Sequence, residues 1–235
     1  MSNILISGAY RSGSNHIAES LARTLGSNRS ILSVSREGWA SDPQRLSNPV
    51  CDALFNRIDG MVYLQHVFAS PNNLGLIKVF KPYTIVCLRK LIPSLHSLRK
   101  YGDAMAADNR LKSIPFAAHW NELDNNGKWA WVANNTIPWF YQFYVSWMRV
   151  KNIPIHFVWY EEHFADQEKS AEDILKFLGM AGVPREHLTQ AFQHKDANYT
   201  KDREDLPVPD FVYRIAESQV DGWGPWEKKL RRDLL

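Results

Sequence analysis

Apolar positions fall along the chain in short runs separated by stretches of helical periodicity. Ile4-Leu5-Ile6-Ser7 is a β-branched, apolar run; a polar segment from Gly8 to Asn15 follows, then Ile17, Ala18, Leu21, Ala22 and Leu25 at helical spacing, closed by Gly26. That succession predicts a strand, a loop and a helix with a glycine stop. Met61 to His66, Thr84 to Leu88 and Ile155 to Trp159 read as further core strands. Between them a short helix is predicted over Leu74 to Phe80 and another from Pro93, which suits a first helical turn, to about Tyr101. A third is predicted to start at Pro138, with Phe140, Phe143, Tyr144 and Trp147 on one face. Ser170-Ala171-Glu172-Asp173 supplies an N-cap pattern for a helix ending at Phe177-Leu178-Gly179. Residues 27–50, rich in Ser, Arg, Asn and Pro, read as a loop with at most one short strand at Ile31-Leu32-Val34, and Glu122 to Gly127 as a turn. Strands and helices alternate, so the expected fold is α/β, a single domain over residues 1–235 with a central parallel β-sheet flanked by helices.

Composition narrows the function classes. The 235 residues are 45% hydrophobic and 23% charged, enough for a full-sized core. Lys and Arg number 28 against 25 Asp and Glu, a net charge of +3. No long basic stripe points to nucleic acid or to an anionic membrane, so any anion site is local. Cys51 and Cys87 lack metal or disulfide spacing, and a reducing compartment is expected. Ile4-Leu5-Ile6 is too short for a signal segment, and no later run is apolar for long enough to span a bilayer, so a soluble, cytoplasmic protein is expected.

The candidate chemistry starts at Gly8-Ala9-Tyr10-Arg11-Ser12-Gly13, between a predicted strand and helix. In that setting backbone N–H groups and the helix N-terminus form an anion cradle. The glycine spacing matches a Walker A loop, which makes the expected fold P-loop NTPase-like. Ser14, however, stands where the lysine of that motif belongs, and Asn15 replaces the Ser or Thr that holds Mg²⁺. The cation has moved inside the loop to Arg11, whose guanidinium can fork across phosphate or sulfate oxygens. An ordinary ATP or GTP enzyme is disfavoured, and no metal is required.

Arg11-Ser12-Gly13-Ser14-Asn15 resembles the phosphosulfate-binding loop of the sulfotransferase superfamily. Arg89, at the end of the strand Thr84 to Leu88, and Ser97, eight positions on, are similar to that family's 3′-phosphate site, although Lys90-Leu91 replaces the commoner Asp or Asn followed by Pro. Val158-Trp159-Tyr160-Glu161-Glu162, followed by Phe177-Leu178-Gly179, resembles two further family segments. The resemblance implies a sulfotransferase that uses 3′-phosphoadenosine 5′-phosphosulfate (PAPS) and releases adenosine 3′,5′-bisphosphate (PAP). By the same resemblance Arg11, Ser12, Gly13, Ser14, Asn15, Arg89 and Ser97 are expected to bind the cofactor, with Arg11 also catalytic. Tyr160 is a candidate adenine contact or a half-buried tyrosine at a strand end. His16 stands where many relatives carry a stacking Trp, and either stacks or caps its helix. The family's Arg-Lys-Gly segment has no counterpart after Gly179; its place falls to Asp221 to Leu230, where no single residue is assigned.

Sulfuryl transfer to a hydroxyl needs a proton acceptor. His66 ends the strand Met61 to Gln65 and, by the resemblance, occupies the position of the family's general base, with Glu161 and Glu162 as runners-up. Six of the nine tryptophans lie between Trp120 and Trp159, either lining a pocket or building a core. The acceptor is expected to be a hydroxyl or amine on a small molecule or carbohydrate. The alternatives are a divergent P-loop kinase or hydrolase and a non-catalytic nucleotide-binding protein.

Overall fold

Ile4, Leu5 and Ile6 are all buried, and the strand they form, β1 (Ile4–Gly8), lies at the centre of a parallel sheet. The other strands are β2 (Arg29–Ile31), β3 (Val62–Gln65), β4 (Tyr83–Leu88) and β5 (Ile155–Trp159). The sheet order is β2-β3-β1-β4-β5, and Ile6 pairs with Leu64 on one side and Ile85 on the other. The expected α/β fold with a central parallel sheet is what forms. The computed structural model describes residues 3–27, 29–31, 46, 51, 52, 55, 60–107, 120–180, 185–192 and 207–220. Of the strand expected at Ile31 to Val34, only Ile31 belongs to β2; Leu32 to Val34 lie outside the described residues, as does the basic segment Asp221 to Leu230.

Described helices are α1 (Ser14–Thr24), α2 (Pro71–Phe80), α3 (Leu91–Ala107), α4 (Asn125–Met148), α5 (Tyr160–Ala165), α6 (Gln167–Phe177), α7 (Arg185–Phe192) and α8 (Asp210–Val220). None is long and apolar enough to cross a membrane. The chain divides into two compact units, Met1–Leu88 with Val145–Thr200, and Arg89–Tyr144 with Lys201–Leu235.

In the first unit, strand alternation sends Ile4, Ile6, Val62, Leu64, Ile85, Cys87 and Val158 into one core with Ile17 and Leu21 of α1, Ile174 and Leu175 of α6 and Phe192 of α7. Burying each large aliphatic side chain stabilises the fold by about 1.5–3 kcal/mol. From the other face of β3, Tyr63 meets Phe55, which also touches Phe80 of α2. Gly26 stops α1 as its sequence implies, at a φ of 57°, with Ser27 N–H reaching back to the Ala22 carbonyl at 2.9 Å. Helix α2 begins earlier than expected: Ser70 Oγ accepts from Asn73 N–H at 3.3 Å, and Pro71 takes the first helical position. Pro71-Asn72-Asn73 has turn-forming composition, which conceals this capped first turn from periodicity.

In the second unit, α3 extends past the expected end at Tyr101 to Ala107. Asp103, one turn beyond buried Arg99, pairs with its guanidinium and accepts from Trp120 Nε1 at 3.1 Å and Lys128 Nζ at 3.0 Å. This cluster keeps the last turns of α3 helical. Both cations also lie 5.6 Å from the Trp120 ring centre.

The expected start at Pro138 is corrected: α4 begins at Asn125, and Pro138 is inside it. Asp124, expected within a turn, caps the helix by accepting from Gly127 N–H at 2.6 Å. Trp129, Val132, Ala133, Ile137 and Phe140 form one buried stripe that runs straight through the proline. Pro138 and Asn134, whose carbonyl loses its i+4 donor there, are both exposed, so solvent can satisfy that carbonyl. Trp120, Trp129 and Trp147 are core side chains rather than pocket lining.

Replacing Asp103 with Ala leaves the Arg99 guanidinium and the Trp120 N–H without their carboxylate, and is expected to destabilise the protein by about 1–3 kcal/mol. Urea denaturation checks this; an unchanged midpoint would show the cluster to be energetically idle.

Candidate functional site: a strand-end loop with a half-buried histidine

β1 delivers the chain to a loop fixed at both ends. Ala9 N–H donates to the Cys87 carbonyl at 2.9 Å, and the Ala9 carbonyl accepts twice from Ser12, from Oγ at 2.6 Å and from N–H at 3.2 Å. Two left-handed residues, Arg11 at φ 62° and Gly13 at φ 75°, then turn the chain into α1. A left-handed non-glycine residue costs about 1–2 kcal/mol. Gly8 admits no side chain, because a Cβ there would stand 2.3 Å from Ser14 Oγ. Gly13, the N-cap, is tight as well: its Cβ would meet Tyr160 Cδ2 and Phe164 Cε2, each at 3.1 Å.

The first intrahelical bond runs from Ile17 N–H to the Gly13 carbonyl, so the N–H groups of Ser14, Asn15 and His16 precede it at the positive end of the helix. An anion at this terminus has backbone donors, the helix dipole and, from within the loop, the half-exposed Arg11. Ser12 is buried and directs its hydroxyl proton into the loop, so its part is to shape the cradle. Among the described residues no group of His, Cys, Asp or Glu is arranged to hold a metal ion.

His66, just beyond β3, donates Nδ1–H to the Gly8 carbonyl at 2.5 Å. A carbonyl only accepts, so the bond assigns the proton to Nδ1 and leaves Nε2 as the basic nitrogen of the neutral ring. Burial pushes the imidazole below its ordinary value of 6.5, and the bond to Gly8 opposes this only in part. The Tyr10 ring lies against it, centroids 4.6 Å apart.

The first unit thus brings together the loop, His66 and Tyr160, the last by its contact with Gly13. Arg89 and Ser97 belong to the second unit. The Arg89 carbonyl accepts from Tyr144 O–H, and Ser97 sits half-buried on α3, nearly two turns from its start. Glu161 is half-buried and Glu162 exposed in the first turn of α5. His16 makes no cap, since Gly13 occupies that position without a side-chain bond. It is instead buried in an aromatic cluster with His163 at 5.4 Å, Phe164 at 5.3 Å and Phe192 at 6.4 Å. Sequence reasoning passed over Tyr10, His163 and Phe164. Tyr160, His163 and Phe164 share one helical face by their i, i+3, i+4 spacing, which was the available signal.

No protein-family model matches the chain, and no curated protein matches it in sequence. Among solved structures, that of mouse sulfotransferase SULT7A1 complexed with PAP is similar over 100% of this chain and 90% of its own, with 15% sequence identity and a TM-score of 0.59. The chain has the sulfotransferase fold. A sulfotransferase from Alicyclobacillus acidocaldarius is also similar, over 100% of this chain and 97% of its own, at 14% identity and a TM-score of 0.49. Within the sulfotransferase fold, β1, β3 and β4 run parallel side by side, and the loop and His66 follow β1 and β3 at their shared carboxyl edge, where open α/β sheets bind ligands.

The histidine cluster behind the loop makes stability depend on acid. His163 is lowered to about 3, first by burial and then by repulsion from His16, while its Nδ1 lies 2.8 Å from Ser170 Oγ. The unfolded chain, with an ordinary value of 6.5, binds the proton that the folded state refuses, so stability falls as pH drops from about 6.5 toward 3. Thermal melts across that window should show a falling Tm, with a shallower fall in His163→Asn. Equal slopes for the two proteins would rule out this origin.

Proposed function

We propose that the protein is a sulfotransferase that moves a sulfuryl group from PAPS to a hydroxyl or amine on a small-molecule or carbohydrate acceptor. The observation that carries this reading is the single strand edge that joins an anion cradle containing Arg11 to a neutral histidine with Nε2 as its basic nitrogen. The fit with a phosphosulfate rests on the loop's construction. Gly8 and Gly13 lack room for side chains, backbone N–H groups from Ser14 to His16 head the helix, and Arg11 brings the positive charge. The fold shared with a sulfotransferase whose structure holds PAP supports the same choice of nucleotide.

Bound PAPS supplies an activated sulfuryl group whose leaving group is a phosphate. In this reading Arg11 and the backbone of Gly13, Ser14 and Asn15 hold the phosphosulfate and offset the charge that builds on the leaving oxygen, while Ser12 maintains the loop's shape. Arg89 and Ser97 bind the 3′-phosphate. Tyr160, against Gly13, offers its ring to the adenine, and His16 contributes from beneath the loop through its aromatic packing. His66 accepts the acceptor's proton at Nε2; its bond to Gly8 holds the ring and its tautomer during the transfer. We assign this activity to a reducing cytoplasm, which suits the free, buried thiols Cys51 and Cys87.

Two measurements test the reading. By calorimetry PAP should bind much more tightly than adenosine 5′-monophosphate, and Arg89→Ala should remove most of the difference, about ten- to a hundredfold in affinity for a charge-assisted contact. Equal affinities in the wild type would refute the 3′-phosphate assignment. With labelled PAPS and a screened acceptor, His66→Ala should keep PAP affinity and lower turnover by roughly two to four orders of magnitude. Because burial keeps His66 neutral below its usual range, the wild-type rate should hold through pH 6.5 and fall only at lower pH. Unchanged turnover in the mutant would move the role to Glu161 or Glu162.

A further inference from the structure

We propose that Tyr10 is a positioning residue for His66: its ring holds the imidazole over the Gly8 carbonyl, which keeps the proton on Nδ1 and leaves Nε2 as the acceptor. This inference rests on the reading of His66 as the base for its consequence in catalysis, but not for its geometry. The two rings lie 4.6 Å apart between centroids at an interplanar angle of 52°, within the range of favourable aromatic contacts. The tilted Tyr10 ring stands against one side of the imidazole and opposes its rotation away from the Gly8 carbonyl.

The contact is built from both sides. Tyr10 is the one residue between two fixed points. Ala9 is tied through its N–H to Cys87 and through its carbonyl to Ser12, and Arg11 is set in the left-handed region. His66 is framed in the same way. Gln65 before it pairs with Ser7 in the sheet, and the Val67 carbonyl after it accepts from Ser7 Oγ at 2.8 Å and Trp147 Nε1 at 2.9 Å. Neither backbone can retreat from the other, so the ring contact is a consequence of the loop's hydrogen bonding. Tyr10 is itself half-exposed, as a residue beside an entering acceptor has to be.

The test separates geometry from catalysis. In nitrogen-15 NMR of the whole protein at neutral pH, wild-type His66 should show the Nδ1–H tautomer alone, and Tyr10→Ala should admit the Nε2–H form. Turnover of Tyr10→Ala should fall about tenfold or more while PAP affinity stays within about threefold, and Tyr10→Phe, which keeps the ring, should restore both tautomer and turnover. If Tyr10→Ala does not fold, Tyr10→Leu, which keeps bulk without the ring, takes its place. A His66 tautomer unmoved by removal of the ring overturns the proposal. So does a loss of melting temperature and PAP affinity with turnover per folded molecule kept, which marks a structural tyrosine. A shifted tautomer in Tyr10→Ala combined with full activity in His66→Ala would leave the positioning intact and refute the base.

Discussion

The closeness of Gly8 to Ser14 is the constraint on which the site depends. With no room for a Cβ at residue 8, the chain leaving β1 can fold back onto the first residue of α1, and the helix N-terminus is brought against the strand end. The same glycine offers its carbonyl to His66, 58 residues away. One small residue therefore sets both the shape of the loop and the tautomer of the histidine beside it. The left-handed Arg11 is the cost of so tight a turn, and backbone strain of this kind is tolerated where neighbouring bonds over-determine the conformation. Here those bonds are the two from Ser12 to Ala9 and the one from Ala9 to Cys87.

Three histidines near this edge illustrate how burial divides labour. His66 is desolvated but retains a carbonyl partner, so it remains neutral with a defined tautomer, a state suited to accepting a proton. His16 and His163 lie among aromatic rings, and His163 is kept uncharged first by burial and then by the neighbouring His16. They pack under the first turn of α1, and their chemistry is expressed in the protein's tolerance of acid.

The second unit organises the helix that bears Ser97. Asp103 gathers Arg99, Lys128 and Trp120 around one carboxylate, and Gly102 lets the indole approach, since a Cβ there would lie 2.5 Å from Trp120 Cζ2. Tyr141 O–H, donating to the Ala216 carbonyl at 2.5 Å, joins α4 to α8 within the same unit. A charged cluster with this many partners orients its helices more than it stabilises them, because desolvation offsets much of the attraction.

What the sequence determined by itself was whatever depends on near neighbours. The strand–loop–helix at Ile4 to Gly26 and the core strands β3, β4 and β5 were legible because side-chain spacing and glycine placement act over a few residues. Where two local signals conflicted, as at Pro138 within a continuous buried stripe, long-range packing decided for the helix. The capped first turns at Ser70 and Asp124 were hidden for the related reason that turn-forming residues also begin helices. Only the tertiary structure could decide the states of the histidines. The proton on His66 Nδ1 follows from a carbonyl on another strand, and the burial of His16 follows from rings on α5 and α7. Burial and tautomer are properties of surroundings assembled from distant segments, and residue spacing along one chain does not encode them.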